Sequence, residues 1–300
     1  MFYYESPIPY MGNKYKLLRQ LLPLFPEKCD TFYDLFGGSG VVSMNYRGQC
    51  KTVYNEFNPI IVSLIGMIRN SDVEELDKYF KEKVRVYNLR TQSDKINYDR
   101  NAEGYYRLRN EYNSMPPSER NPRDLYLLIC YSIYHIIRFN SDNQFNVGNG
   151  SDGYNERNFY RLKSMQRLFK NVEIWNKNVF DIDLSVFSED DFVYCDPPYS
   201  STTAVYNEER AFGHWDDMES DKRLFDLLSK LTERNIKWGL SNVFACRGKV
   251  NKHLIEWCDN NSLIVVHLEK DYNPFSRGSS NSDEVYICNY RPRNLTTSLF

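Results

Sequence analysis

Thr31-Phe32-Tyr33-Asp34-Leu35-Phe36-Gly37-Gly38-Ser39-Gly40 is the stretch on which the fold turns. Residues 31–36 alternate and are rich in β-formers, which predicts a strand. The glycines that follow predict a tight turn, where the backbone can approach a ligand that any side chain would block. Residues 41–46 then read as a helix, and residues 51–55 as a second strand ending at Glu56, sixteen residues after Gly40. Strand, glycine turn, helix, strand and acid make the opening half of a dinucleotide-type α/β fold, in which the terminal carboxylate accepts both ribose hydroxyls. The turn lacks the lysine of a P-loop and the spacing G-x-G-x-x-G. An adenosyl ligand with a charged amino-acid tail therefore suits the acidic flank at Asp34 better than phosphates do. A plain strand-to-helix connection accounts for the same glycines.

Outward from this unit, residues 60–68 predict a helix, and residues 71–122 turn polar, charged and rich in Asn and Tyr, with a break at Met115-Pro116-Pro117-Ser118. Asp124 reads as the cap of a helical stretch whose apolar positions include Leu125, Leu128, Ile129, Ile133 and Ile136. A polar loop follows over 140–158, with turn residues Gly148, Gly150, Asp152 and Gly153, and then a helix over 159–169. Strands are expected at 172–175, 192–195 and 236–240, with a helix at 218–231. Residues 263–268 and 284–289 read as closing strands able to pair antiparallel, joined by an exposed loop over 271–283. The expected architecture is α/β. A Rossmann-like sheet with helices on both faces is formed by 1–70 and 171–300, and residues 71–170 form a smaller helical insertion.

Three hundred residues with 41% hydrophobic side chains can build such a core. Net charge is −2, but residues 81–170 hold 16 Lys and Arg against 10 Asp and Glu, leaving 22 against 30 elsewhere. That concentrated surplus suits phosphates on one lobe; a solvated helical region with spare arginines looks similar. Seven dispersed cysteines without a C-x-x-C pair, and four histidines without ligand spacing, argue against a metal site and against a disulfide scaffold. No signal segment or membrane-length apolar run is present, so the expectation is a soluble, cytoplasmic protein.

Asp196-Pro197-Pro198-Tyr199 follows the apolar run Phe192-Val193-Tyr194-Cys195. A carboxylate can accept one N–H of a planar base's exocyclic amine. The carbonyl between the two prolines can accept the other, since proline brings no competing N–H. The tyrosine offers a ring for stacking. An amine held this way turns its lone pair out of the ring plane, toward an electrophilic methyl group. A strand-to-turn junction uses the same residue types. Two further stretches carry chemistry. Lys14 and the backbone N–H groups of a helix start after Pro9-Tyr10-Met11-Gly12-Asn13 can bind a carboxylate or phosphate, or simply begin a helix. Phe180 can pack on an adenine with Asp181 accepting from its amine, or both can belong to a turn.

Taken in order, Lys14, the glycine turn, Glu56, Asp181 and Asp-Pro-Pro-Tyr resemble the Dam-like branch of the DNA adenine-N6 methyltransferases. The resemblance spans nearly the whole chain. In the insertion, Arg138-Phe139-Asn140 followed by Gln144-Phe145-Asn146-Val147 is similar to that branch's R-[YF]-N … E-F-N-V. Leu240-Ser241-Asn242 resembles its S-N turn, and Ser282-Asp283-Glu284-Val285 its closing [KS]-x-D-E strand. The resemblance implies S-adenosylmethionine as methyl donor, leaving S-adenosylhomocysteine, with no metal and with double-stranded DNA as substrate. It implies cofactor contacts by Tyr10, Lys14, Asp34, Phe36, Gly37, Gly40, Glu56, Phe180, Asp181 and Asp196. Asp196, Pro197, Pro198 and Tyr199 would hold the target base. Lys14, Ile136, Arg138, Asn140 and Asn146 would meet DNA, with Arg138 where a guanine-reading arginine occurs and 71–170 as the target-recognition insertion. A monomer is expected, with a dimer on DNA as the alternative, in a bacterial or phage setting. Pro9 stands where the family commonly has Lys, Gly148 where it has Pro, and Gln144 where it has Glu. GATC is accordingly a candidate target site only.

The mechanism this implies rotates adenine out of the duplex into the cleft, with Asp196 positioning the amine rather than deprotonating it first. Residues 200–215 are the candidate lid. A cytosine-N4 or RNA amine methyltransferase would use the same cleft, with Asp at 196 favouring adenine by resemblance. A DNA-binding module that has lost catalysis is opposed by the intact tetrapeptide, glycine turn and Glu56, and a nicotinamide enzyme by the glycine spacing.

Overall fold

A computed structural model describes residues 2–90, 95–199, 217–246, 248–269 and 282–293. The expected lid at 200–215 and nearly all of the loop at 271–283 lie outside the described residues. Among the described residues, eight strands form one sheet: β1 (Thr31–Asp34), β2 (Lys51–Asn55), β3 (Glu173–Trp175), β4 (Phe192–Cys195), β5 (Lys237–Cys246), β6 (Lys249–Val250), β7 (Ile264–Leu268) and β8 (Ser282–Cys288). Their order is β3-β2-β1-β4-β5-β8-β7, with β6 paired to β5 alone. β1 through β5 run parallel, and β8 runs antiparallel to both β5 and β7. The closing strands therefore do pair antiparallel.

Nine helices accompany the sheet among the described residues: α1 (Leu18–Leu21), α2 (Val41–Asn45), α3 (Pro59–Asn70), α4 (Val73–Val86), α5 (Lys95–Ser114), α6 (Pro122–Tyr131), α7 (Glu156–Phe169), α8 (Asp217–Glu233) and α9 (Lys252–Asn260). Burial of all four β4 residues explains its unbroken apolar run, since both faces of a parallel sheet are covered. Phe32, Phe192, Tyr194 and Tyr286 face a core closed by Leu18 and Leu21 of α1. Val193, Cys195, Trp238 and Ile287 face the opposite core, closed by Leu224 and Leu228 of α8 and Leu254 of α9. The third core joins α3 to α4, α5, α6 and α7, with Tyr54 of β2 at its margin. None of the described helices is long and apolar enough to cross a membrane.

Several sequence expectations need correction. The helix expected from Asp124 begins at Pro122, and Asn121 is its cap, accepting from Arg123 N at 3.0 Å. Proline preset for the first turn and an Asn cap outweigh Asp124, which instead accepts a hydrogen bond from the Tyr79 hydroxyl at 2.7 Å. That helix stops at Tyr131, so Ile133 and Ile136 lie beyond it: Ile133 opens a separate 3-10 turn, and Ile136 follows left-handed backbone at Tyr134 and His135 (φ 57° and 53°). Residues 71–122 hold two long helices, α4 and α5. Leu240-Ser241-Asn242 lies inside β5 rather than in a turn.

The chain leaves β1 toward β2 on one side and continues from β4 to β5 on the other, making a switch point between the two central strands. In open α/β sheets ligands bind outside the carboxyl ends of the strands at that crevice. Asp34, Glu56 and Asp196 all fall there.

Candidate active site

A cleft opens at these strand ends, lined by Tyr10 and Lys14, by Asp34, Phe36 and Gly37, by Glu56 and Phe180, and by Asp196 through Tyr199. The glycine turn is shaped by β2. A Cβ on Gly37 would stand 2.1 Å from Cε2 of Tyr54, whose hydroxyl donates to the Gly38 carbonyl at 2.6 Å. Gly40 has left-handed backbone (φ 74°) and caps α2, and a Cβ there would meet Cζ of Phe169 at 2.8 Å. Gly40 thus shapes the turn against α7 from outside the cleft lining. Asp181, too, is exposed and absent from that lining.

Among the described residues three carboxylates face the cleft, and each is engaged differently. Asp34 accepts from the Ser43 hydroxyl on Oδ2 at 2.6 Å, whereas its buried Oδ1 has no partner among the described residues. Burial pushes this carboxyl up to about 7, with Ser43 opposing and the charge of Asp196 adding. Glu56 is buried with one oxygen taking the Gly38 N–H at 2.9 Å and the other the Asn58 N–H at 2.7 Å. Burial pushes it above the ordinary range against those two bonds. Each oxygen retains a second lone pair, enough to accept one hydroxyl apiece.

Asp196 sits directly past β4. Its Oδ1 pairs with Lys14 Nζ at 2.7 Å and accepts from the Tyr199 hydroxyl at 3.0 Å. No described residue bonds Oδ2. Burial pushes its carboxyl up, Lys14 pulls it down, and Glu284 on β8 adds to the rise. Lys14, 4% exposed, also donates to the Gly12 carbonyl at 3.2 Å and lies 4.9 Å from the centre of the Tyr199 ring. The lysine read as binding a ligand or simply beginning a helix is turned inward onto the tetrapeptide.

Ile136, Arg138, Asn140 and Asn146 do not line the cleft. They belong to a separate hairpin, bridged at Phe139 and Phe145, in which Asn140 Oδ1 accepts from the N–H groups of Asp142 and Gln144. Arg138 donates through Nε to Asn146 Oδ1 at 2.8 Å and through Nη2 to the Asn146 carbonyl at 3.1 Å. Phe57 and Arg223 are among the cleft residues that were not foreseen. Phe57, 46% exposed, lines it directly after Glu56, and an aromatic beside the strand-end acid was a usable signal. Arg223 of α8 places its guanidinium 4.1 Å from the Phe180 ring centre, a contact no local pattern announces.

Residues 10–271 match the family described as D12 class N6 adenine-specific DNA methyltransferase. The chain is 34% identical over 299 residues to the Type II methyltransferase M.FokI of Planomicrobium okeanokoites, covering 96% of this chain and 43% of that protein. It is 32% identical to the modification methylase StsI of Streptococcus sanguinis, covering 98% and 44%. Identity to the DNA adenine methylase of Escherichia coli (strain K12) is 25%, covering 95% of each. The chain therefore spans less than half the length of the first two relatives and nearly all of the third.

Proposed function

From the premise that this chain belongs to the D12 class of N6 adenine-specific DNA methyltransferases, we propose that it methylates N6 of an adenine turned out of double-stranded DNA, using S-adenosylmethionine. The observation that carries the proposal is the Asp196 carboxylate: Oδ1 is fixed by Lys14 and Tyr199, and Oδ2 is left to the cleft. A carboxylate locked on one oxygen presents the other in a set position, which positioning catalysis requires.

The residues present also fit the donor. The partnerless Asp34 Oδ1 suits an α-ammonium group, and the Glu56 oxygens suit a ribose diol. Phe57 and Phe180 offer ring faces for an adenine, and Gly37 keeps the turn clear. S-adenosylmethionine, when bound, supplies an electrophilic methyl group on sulfur. Asp196 Oδ2 and the Pro197 carbonyl then hold the two N–H bonds of the base's amine, and Tyr199 sets a ring against the base. Asp196 also steadies the positive charge that grows on nitrogen as the bond forms. Asp181 would reach an adenine amine from the cleft's outer margin, and Gly40 would act through the turn. Residues 71–170 would read DNA, with Arg138 at its hairpin and Ile136, Asn140 and Asn146 around it, while 1–70 and 171–300 carry the chemistry.

Asp196→Ala is expected to abolish transfer of labelled methyl from S-adenosylmethionine to duplex DNA while leaving DNA affinity largely intact. Undiminished turnover in that variant refutes the assignment, and nucleoside mass spectrometry separates N6-methyladenine from N4-methylcytosine.

A further inference from the structure

A second cleft lies beyond Tyr10 and shares Tyr10, Gly12, Asn13 and Val41 with the first. Lys16, Arg157 and Arg161 line it, and Glu5 is its one acid among the described residues. The arginines stand four residues apart, hence on one face of α7. Glu5 ties them together: Arg157 Nη2 lies 2.8 Å from each carboxylate oxygen, and Arg161 Nη2 pairs with Oε2.

Glu5 occupies one nitrogen of each fork. A guanidinium has five donors in a fixed plane, so Nε and Nη1 of both arginines stay uncommitted among the described residues. Nε of Arg161 is buried with no partner among the described residues. Lys16 is exposed on the same cleft, and the sum of charges is positive. Against burial, which alone would raise it, Arg161 and Arg157 hold the Glu5 carboxyl below its ordinary range. Glu5 is thus a fixed anion that aligns two forks without filling them.

We propose that this cleft binds one phosphodiester group of the DNA backbone, seated by Arg157, Arg161 and Lys16 next to the cleft that takes the base. The inference rests on that reading of the first cleft. A base turned out of the stack stays joined to its own phosphates, and the wall shared by the two clefts is where they would pass. Aligned guanidinium forks match phosphate oxygens in pairs, which a carboxylate-sized pocket with a single lysine would not do.

The test uses the full chain and a fluorescent duplex titrated over a range of salt. For Arg157→Gln/Arg161→Gln, the slope of log affinity against log salt is expected to fall by about 1 for one lost phosphate contact, with S-adenosylhomocysteine affinity unchanged. A neutral methylphosphonate beside the target adenosine should weaken the wild type and not the variant. Glu5→Gln, which keeps both cations, should hold or steepen the slope. Equal losses of melting temperature in all variants, with wild-type salt slopes, would show a purely structural staple and overturn the proposal. If the wild type transfers no methyl group to DNA but the slope difference persists, the base-site reading fails and the phosphate site stands.

Discussion

Asp34→Asn separates the charge of the cleft's deepest acid from its shape. The carboxyl moves from 3.8 to about 7 on folding because it is buried and near Asp196. Between those pH values the folded chain holds a proton that the unfolded chain has released. Stability therefore falls as pH rises through that window and levels off above about 7. At 1.36 kcal/mol per pH unit, the loss assigned to this residue is about 4 kcal/mol. An amide keeps an oxygen for the Ser43 hydroxyl and does not ionise, so the variant should lack this slope and be the more stable protein at pH 8. Ligand binding should move the opposite way. An ammonium group on Oδ1 is a charge-assisted bond of about 1.5–3 kcal/mol, so affinity for S-adenosylhomocysteine should drop about ten- to a hundredfold. In the wild type that affinity should rise with pH up to about 7. Urea melts and titration calorimetry from pH 5 to 8 measure both. A variant that binds as tightly as the wild type, or a stability difference constant with pH, would refute the role given to Asp34.

Two further substitutions probe the same cleft. Lys14→Met strands Asp196 without its cation; losing one partner of a buried pair costs about 3–5 kcal/mol. The acid limb of the methyl-transfer pH profile should move to higher pH, and an unmoved profile would count against the pairing. Gly37→Ala drives a methyl group into the Tyr54 ring. It should cost about 1–3 kcal/mol in a thermal melt and abolish S-adenosylhomocysteine binding; a normal melt with normal binding would show that the turn yields freely.

The half of the fold around β1 and β2 was legible because its constraints are local: strand, glycine and acid must lie within a few residues of one another. The helices of 71–122 were hidden for opposite reasons. In α4 the stripe Val73, Leu76 and Phe80 is apolar and capped by Asp72, a plain signal overlooked in polar surroundings. In α5 the buried face is Asn101, Tyr105, Leu108 and Tyr112, a helical spacing written mostly in residues that read as surface. Asn101 is buried because its amide pairs with the Arg90 backbone, and Gly104 allows α5 to lie against the Tyr87 carbonyl. Such partners are tertiary. The cleft shows the same division. Asp196 and Glu56 announced themselves by what precedes them, but the inward turn of Lys14 depends on Asp196, 182 positions further along the chain.

The placement of β8 bears on how the molecule comes together. It is the last described strand in the chain, yet it lies between β5 and β7, so until residues 282–288 arrive β7 has no strand beside it and β5 has only the short antiparallel β6 on that side of β4. Until then the sheet is in two pieces with two open edges, the exposure that invites edge-to-edge association. Glu284, which bears on Asp196, enters with that same strand. Closure of the sheet and arrival of the Glu284 charge that acts on Asp196 thus become one late event. In pulsed hydrogen exchange, the amides shared by β5, β7 and β8 should gain protection together, after those joining β1 to β4.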